Sequence, residues 1–301
     1  MTETIPRSEE LFAPVSPGVE LCYQTFGDPN DPALLLVMGL GGPMTWWDAD
    51  FCELLAGRGF FVVRFDNRDA GRSSKLIGRV SRLMLLGAAA GLPTKAPYTM
   101  SNLADDAFGL LDHLGVERAH IVGMSMGGMI VQTMALAHPE RVRSLTSIMS
   151  STGKRTVGWQ HPSILPRLIG RRETEREAYV STSVAYGRVI GSPAYPEPEE
   201  SARARAEATW DRGLNPAGVM RQMIAILTQP DRTESLSDLA MPTQVIHGLS
   251  DKMVHVSGGR TTSSAVPGSN LLLIDGMGHD LPRPLWPTFA DAIASNAARA
   301  R

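Results

Sequence analysis

Cysteine is nearly missing from this chain. Its 301 residues hold two, Cys22 and Cys52, too few for a disulfide scaffold or a cysteine-based zinc module. A reduced compartment is the simplest setting for it. Charge of one sign is missing as well. With 29 Lys+Arg against 31 Asp+Glu the formal net charge is −2, whereas a nucleic-acid binder carries a large basic surplus. Apolar runs are short. The longest, Leu83 to Leu92, has ten residues, about half of what a helix needs to cross a bilayer. Met1 to Glu10 is polar, with no apolar stretch after a basic start, so no signal peptide is expected and a cytoplasmic protein is the reading. No internal repeat and no heptad array is found. Gly and Pro (29 and 21) stay below low-complexity levels, and 43% hydrophobic against 20% charged residues suits a globular chain. At this length about 75% of the unfolded surface can be buried, so the core needs no staple.

What the chain does have is a series of short, non-alternating apolar runs: Leu34 to Met38, Phe60 to Asp66, Ala119 to Gly123, Leu145 to Met149, Gln244 to His247 and Leu271 to Ile274. Continuous apolar strands are buried on both faces, as in a parallel sheet. Helical patterns alternate with them at Trp47 to Ala56, Met100 to Leu114 (with Ser101 or Asn102 as cap), Met126 to Ala137 and Leu285 to Ala300. Glu10 to Gly27, broken by Pro14 and Pro17-Gly18, reads as an antiparallel hairpin on the sheet edge. The fold class is therefore α/β, a mostly parallel eight-stranded sheet with helices on both faces. Residues 1–150 and 233–301 form its core. Ser151 to Arg232, about 80 residues without a clear buried strand, reads as an inserted helical cap, the alternative being an independent second domain.

The sharpest motif is Gly123-Met124-Ser125-Met126-Gly127, set between a strand and a helix. A tight turn there projects the serine hydroxyl above the sheet, and flanking glycines avoid backbone clashes. A serine needs a base to take its proton. His279, in the loop Asp275-Gly276-Met277-Gly278-His279 after the last strand, is the candidate, with His255 as rival. His113, His138 and His161 fall in exposed helical segments, and His120 and His247 in strands. Asp251, just past the strand ending at Gly248, is the candidate acid, since ligand sites of open α/β sheets gather at strand C-terminal ends. Asp275 and Asp280 flank the base too closely to aim at its ring. An oxyanion needs two N–H donors. Met126, after the serine, and Leu40, in the loop Gly39-Leu40-Gly41-Gly42-Pro43, are the candidates.

These residues, together with Asp31 to Gly39 and the turn Asp66-Asn67-Arg68-Asp69-Ala70-Gly71-Arg72-Ser73, make the chain similar to α/β-hydrolase-fold serine hydrolases. Within them it resembles the aclacinomycin methylesterase-like esterases and actinobacterial lipase/esterases. The resemblance implies a serine nucleophile, ester-type substrates, the order Ser125, Asp251, His279, and neither cofactor nor metal. Two features depart from the family pattern. Met38-Gly39 stands where most relatives have His-Gly, and Lys75 to Pro97 is longer than the corresponding loop of the methylesterase. The turn from Asp66 is read as structural, with Arg68 paired internally.

An apolar substrate pocket is expected from Gly39, Leu40, Met44, Trp46, Trp47, Met124 and Met126 around the two oxyanion loops. The substrate would be a small-molecule or lipid ester, or a thioester. The stretch 75–97, basic residues beside Leu and Met, fits either a cover over the pocket or peripheral contact with a lipid surface. A cofactor-free perhydrolase or carbon–carbon hydrolase would use the same triad, and a non-catalytic ligand binder could retain it. Ser125 speaks against the aspartate-nucleophile dehalogenases and epoxide hydrolases.

Overall fold

The structure is a computed structural model that describes residues 5–164 and 175–300. Eight strands form one sheet: β1 (Leu11–Ser16), β2 (Val19–Phe26), β3 (Ala33–Val37), β4 (Phe61–Phe65), β5 (Ala119–Met124), β6 (Val142–Ile148), β7 (Thr243–Gly248) and β8 (Asn270–Ile274), in the order β1-β2-β4-β3-β5-β6-β7-β8. β1 and β2 are the antiparallel edge hairpin, and β3 to β8 run parallel. The chain leaves β3 for β4 on one side and returns to β5 on the other. The sheet therefore has its switch point at β3/β5, where a crevice opens beyond the strand C-termini.

The apolar runs are continuous because each strand feeds two cores. On β3, Leu35 and Val37 join Val63 and Ile121 beneath α3 (Met100–His113) and α4 (Met126–Ala137). Leu34 and Leu36 point the other way, joining Val62 and Val122 beneath α1 (Ala49–Ala56) and the last helix (Trp286–Ala297). Each fully buried Leu contributes roughly 1.5–3 kcal/mol. Helix ends differ from the sequence reading in detail. The cap of α3 is Thr99, which forms a capping box with Asn102. The first helix starts two residues late because Met44–Trp46 is a 3₁₀ turn and Asp48 is the N-cap of α1. Cys22 and Cys52 are both buried and unpaired.

Within 75–97, α2 (Arg82–Ala89) is capped by Ser81. Between β6 and β7 lie α5 (Arg176–Ile190), α6 (Glu199–Asp211) and α7 (Pro216–Thr228), and after β7 come α8 (Ser257–Ala265) and α9 (Trp286–Ala297). α7 is packed against α2 through Met220, Ile224 and Leu227. Among the described residues no helix is long and apolar enough to cross a membrane.

Candidate active site

Ser125 stands where β5 turns into α4, with φ 57° and ψ −119°. A non-glycine residue there carries roughly 1–3 kcal/mol of strain. Its neighbours hold it in place. The Ser125 N–H donates to Ile148 O at 2.8 Å, and its carbonyl accepts from Ser150 Oγ at 2.7 Å. A Cβ at position 127 would lie 2.0 Å from Val37 O, so only glycine lets α4 start this close to β3. The serine side chain does not cap α4; Gly128 N–H donates to Ser125 O at 2.9 Å, which leaves the Met126 and Gly127 N–H groups at the helix start without an acceptor among the described residues. Ser125 is partly exposed.

Asp251 follows β7 by three residues and is 6% exposed. Its Oδ1 accepts the N–H groups of Met253 (2.8 Å) and Val254 (2.9 Å), and its Oδ2 accepts His279 Nδ1–H at 2.7 Å. Burial alone would raise this carboxyl. The facing charge and hydrogen bonds of His279 and His247 outweigh burial and hold it well below the usual carboxylate range. With Nδ1–H given to the carboxylate, the lone pair of His279 sits on Nε2. The acid and base loops meet closely, since Ser250 N–H donates to Met277 O at 2.9 Å. A Cβ on Gly248 would lie 2.2 Å from that same carbonyl.

The structure thus joins Asp251 to His279 and brings Ser125 to the same C-terminal end of the parallel strands. Among the described residues the Ser125 hydroxyl makes no hydrogen bond, to His279 or to any other group. Such contacts are often open without substrate and tighten when it binds. His255 stands apart from the acid, stacked on Trp159 at 4.1 Å with its Nδ1 on Ser257 Oγ. Asp280 is taken up by Ser192 Oγ, and Asp275 is exposed.

The Gly39–Pro43 loop lies against the serine: a Cβ on Gly39 would be 3.1 Å from Ser125 Cβ. Polar side chains hold this loop from below and above. Asn67 Nδ2 donates to Met38 O at 2.9 Å, Asp66 Oδ1 accepts Met44 N–H at 2.6 Å, and Gln222 Oε1 accepts Gly41 N–H at 2.7 Å. Gln222, on α7, also donates to Arg68 O at 2.9 Å. The Leu40 N–H has no acceptor among the described residues. The Asp66 turn is structural, as expected. Arg68 pairs with Asp106 through both oxygens, Asp66 with Arg212 at 2.7 Å, and Asp69 with Arg221 at 2.7 and 2.8 Å.

The expected pocket residues do not form one wall. Trp47 is fully buried in the core, stacked on Phe51 at 6.1 Å, and Met44 is also fully buried. Neither presents surface to a ligand. Met124 is 8% exposed and belongs to the same core. Trp46 is partly exposed, its Nε1 donating to Thr209 on α6 at 3.0 Å.

Sequence reasoning missed five residues. His247 is buried with Nε2 2.8 Å from Val254 O and 3.4 Å from Asp251 Oδ2, so a second imidazole flanks the acid. Ser192 accepts Gly278 N–H at 2.9 Å, and Ile190 O accepts His279 N–H at 2.7 Å. Gln222 and Arg221 clamp the loops from α7. The last four positions sit far from any motif, and only the Asn67-Arg68-Asp69 cluster hinted that partners were needed.

A family model described as alpha/beta hydrolase fold matches residues 32–282. The rhodomycin D methylesterase of Streptomyces peucetius is 29% identical, covering 94% of this chain and 96% of its own. A putative carbamate hydrolase of Caulobacter sp. (strain K31) is 28% identical over 86% of this chain and 88% of its own. The crystal structure of the enol-lactonase from Burkholderia xenovorans LB400 covers 96% of this chain and 100% of its own, with a TM-score of 0.75 at 23% identity, a likeness of fold.

Proposed function

From the α/β-hydrolase fold family, to which this chain belongs, we propose a serine hydrolase that cleaves carboxylic esters through an acyl-enzyme intermediate. The observation that carries the reading is the 2.7 Å Asp251–His279 hydrogen bond at the C-terminal ends of the parallel strands, where the strained elbow sets Ser125. His279 Nε2 takes the Ser125 proton as the oxygen attacks the ester carbonyl. Asp251 stabilises the imidazolium, and the Leu40 and Met126 N–H groups receive the oxyanion. His279 then returns the proton to the leaving alcohol, and water repeats the steps on the acyl-enzyme. The Streptomyces relative, by its name, supports an ester as the bond cut. Partly exposed Leu40, next to the Gly39 that lies against Ser125, and partly exposed Trp46 in the turn that follows favour an apolar acyl or alcohol part, with lipid esters and thioesters within that class.

Residues 151–232 act in this reading as a cap continuous with the hydrolase core. Ile190 and Ser192 hold the base loop and Gln222 holds the Leu40 loop, so the cap sets both halves of the site. The direct test is Ser125→Ala. Hydrolysis of p-nitrophenyl acyl esters should fall by roughly 10⁴–10⁶-fold with unchanged circular dichroism, and fluorophosphonate labelling of the wild type should vanish in the variant. Retention of most turnover, or a wild type that fluorophosphonate does not label, would overturn the assignment. A chain-length series with one thioester then fixes the acyl preference.

A further inference from the structure

The stretch between Asp69 and Asp105 contains five basic residues and no acidic one, in a chain whose net charge is −2. It also carries four of the large apolar side chains most exposed to water: Ile77 (99%), Leu83 (80%), Leu86 (62%) and Leu92 (62%). Helix α2 explains the exposure. Met84, Leu85 and Ala88 pack on Ile224 and its neighbours on α7, while Leu83 and Leu86, three apart, share the outer face. A helix that is apolar on every side is normally buried or in contact with lipid. Here one side has protein against it and the other has none among the described residues.

The basic residues divide in two. Arg72 pairs with Glu10, and Lys75 donates to the carbonyls of Ala70 and Gly71. Arg79, Arg82 and Lys95 are exposed and have no carboxylate partner among the described residues. Three exposed cations without a carboxylate partner among the described residues thus share residues 77–95 with four exposed aliphatic side chains. A symmetric contact with a second copy would set those cations against themselves, because a two-fold interface faces each patch with its own image. An anionic bilayer surface answers both features, taking the aliphatic chains below its headgroups and the cations at them.

We propose that this face, Ile77, Leu83, Leu86 and Leu92 with Arg79, Arg82 and Lys95, docks the protein on anionic lipid bilayers. The anchor is rigid. Arg155 donates to Ala88 O and Ala89 O at the end of α2 and to Leu227 O on α7, fixing the two helices together. The far side of α7 carries Val219 and Gln222, both against Gly41. One helix therefore links the docking face to the loop beside Ser125, and a docked molecule would hold that loop near the lipid. The surface is independent of the chemistry at Ser125, and Ser125→Ala should bind as the wild type does.

The test is co-sedimentation of the full chain with vesicles of phosphatidylcholine alone or with about one third phosphatidylglycerol. The wild type should pellet with the anionic vesicles at least tenfold more tightly than with the neutral ones, and raising salt to about 0.5 M should weaken this. Joint replacement R79Q/R82Q/K95Q should weaken anionic binding roughly 100-fold, at about fivefold per cation. L83S/L86S/L92S should weaken it at least tenfold, with wild-type hydrolysis of a soluble short-chain ester reporting an intact fold. The proposal falls if the wild type does not pellet with anionic vesicles, or pellets equally with both kinds. It also falls if folded triple variants bind like wild type, or if sedimentation equilibrium finds a dimer that L83S/L86S/L92S splits. Should the leucine variant misfold, the wild-type comparison of the two vesicles still decides.

Discussion

Asp251 shows how much one side chain can be asked to hold. Its two oxygens take two backbone N–H groups and one imidazole, with a second imidazole 3.4 Å away. Held below the ordinary carboxylate range, it stays ionised through neutral and mildly acidic pH. A loss of activity on mild acidification must then come from another group. Asp251→Asn should keep the fold yet lower kcat on an ester by about 10⁴-fold, because the amide no longer holds the tautomer that leaves Nε2 bare. A kcat within tenfold of wild type would remove Asp251 from the proposed triad. The sequence pointed to Ser125, Asp251 and His279 because strand–turn context is local. It left His247 as a strand residue, since nothing in a strand pattern says which neighbour a buried ring will meet.

At the scale of elements, α7 does more than cover the site. It carries Arg221 to Asp69, Gln222 to Gly41, and its outer side to α2. Asp69 is 1% exposed and has φ 70°, a left-handed conformation that aspartate tolerates better than most residues. Burial would raise its carboxyl, but the Arg221 fork, the Leu76 N–H and the Tyr98 hydroxyl together hold it lowered. Arg221→Met should therefore destabilise the protein by about 3–5 kcal/mol by stranding a buried charge, read as a lower urea midpoint at unchanged m. Adding Asp69→Asn should recover part of that loss. A single variant as stable as wild type would show the pair to be dispensable. The polar character of Asp66 to Ser73 was legible, but its partners were not. Arg212 and Arg221 lie 146 and 152 positions downstream of Asp66 and Asp69, and only folding the segment after β6 back over the sheet brings them in.

For the whole molecule, the buried histidine of β5 sets an acid limit. His120 is 5% exposed between Ser144 Oγ (2.8 Å) and the Phe60 ring, and burial pushes its pKa down to about 4. In the native state it is neutral, whereas the unfolded imidazole takes a proton below about pH 6.5. The unfolded state then binds more protons, and stability falls as pH drops from about 6.5 to about 4. The contribution is about 3 kcal/mol at the acid end and adds no further slope below that. Urea unfolding from pH 7 to 4.5 should show this decline, and His120→Asn should flatten it. Equal slopes in both proteins would place the acid sensitivity elsewhere.

The linear sequence determined the parallel sheet with its edge hairpin and the serine turn, because burial on two faces and tight turns both leave marks within a few residues. It also pointed to helices between Ser151 and Arg232, where Arg176–Ile190, Glu199–Asp211 and Pro216–Thr228 are α-helices and loops join them. Tertiary structure decided what those pieces meet. It put Trp47 into the core, drew Ile190, Ser192 and Gln222 onto the loops of the site, and left one side of α2 facing water. Such contacts join residues far apart in the chain, and they depend on which faces close over the sheet, a choice that local periodicity does not encode.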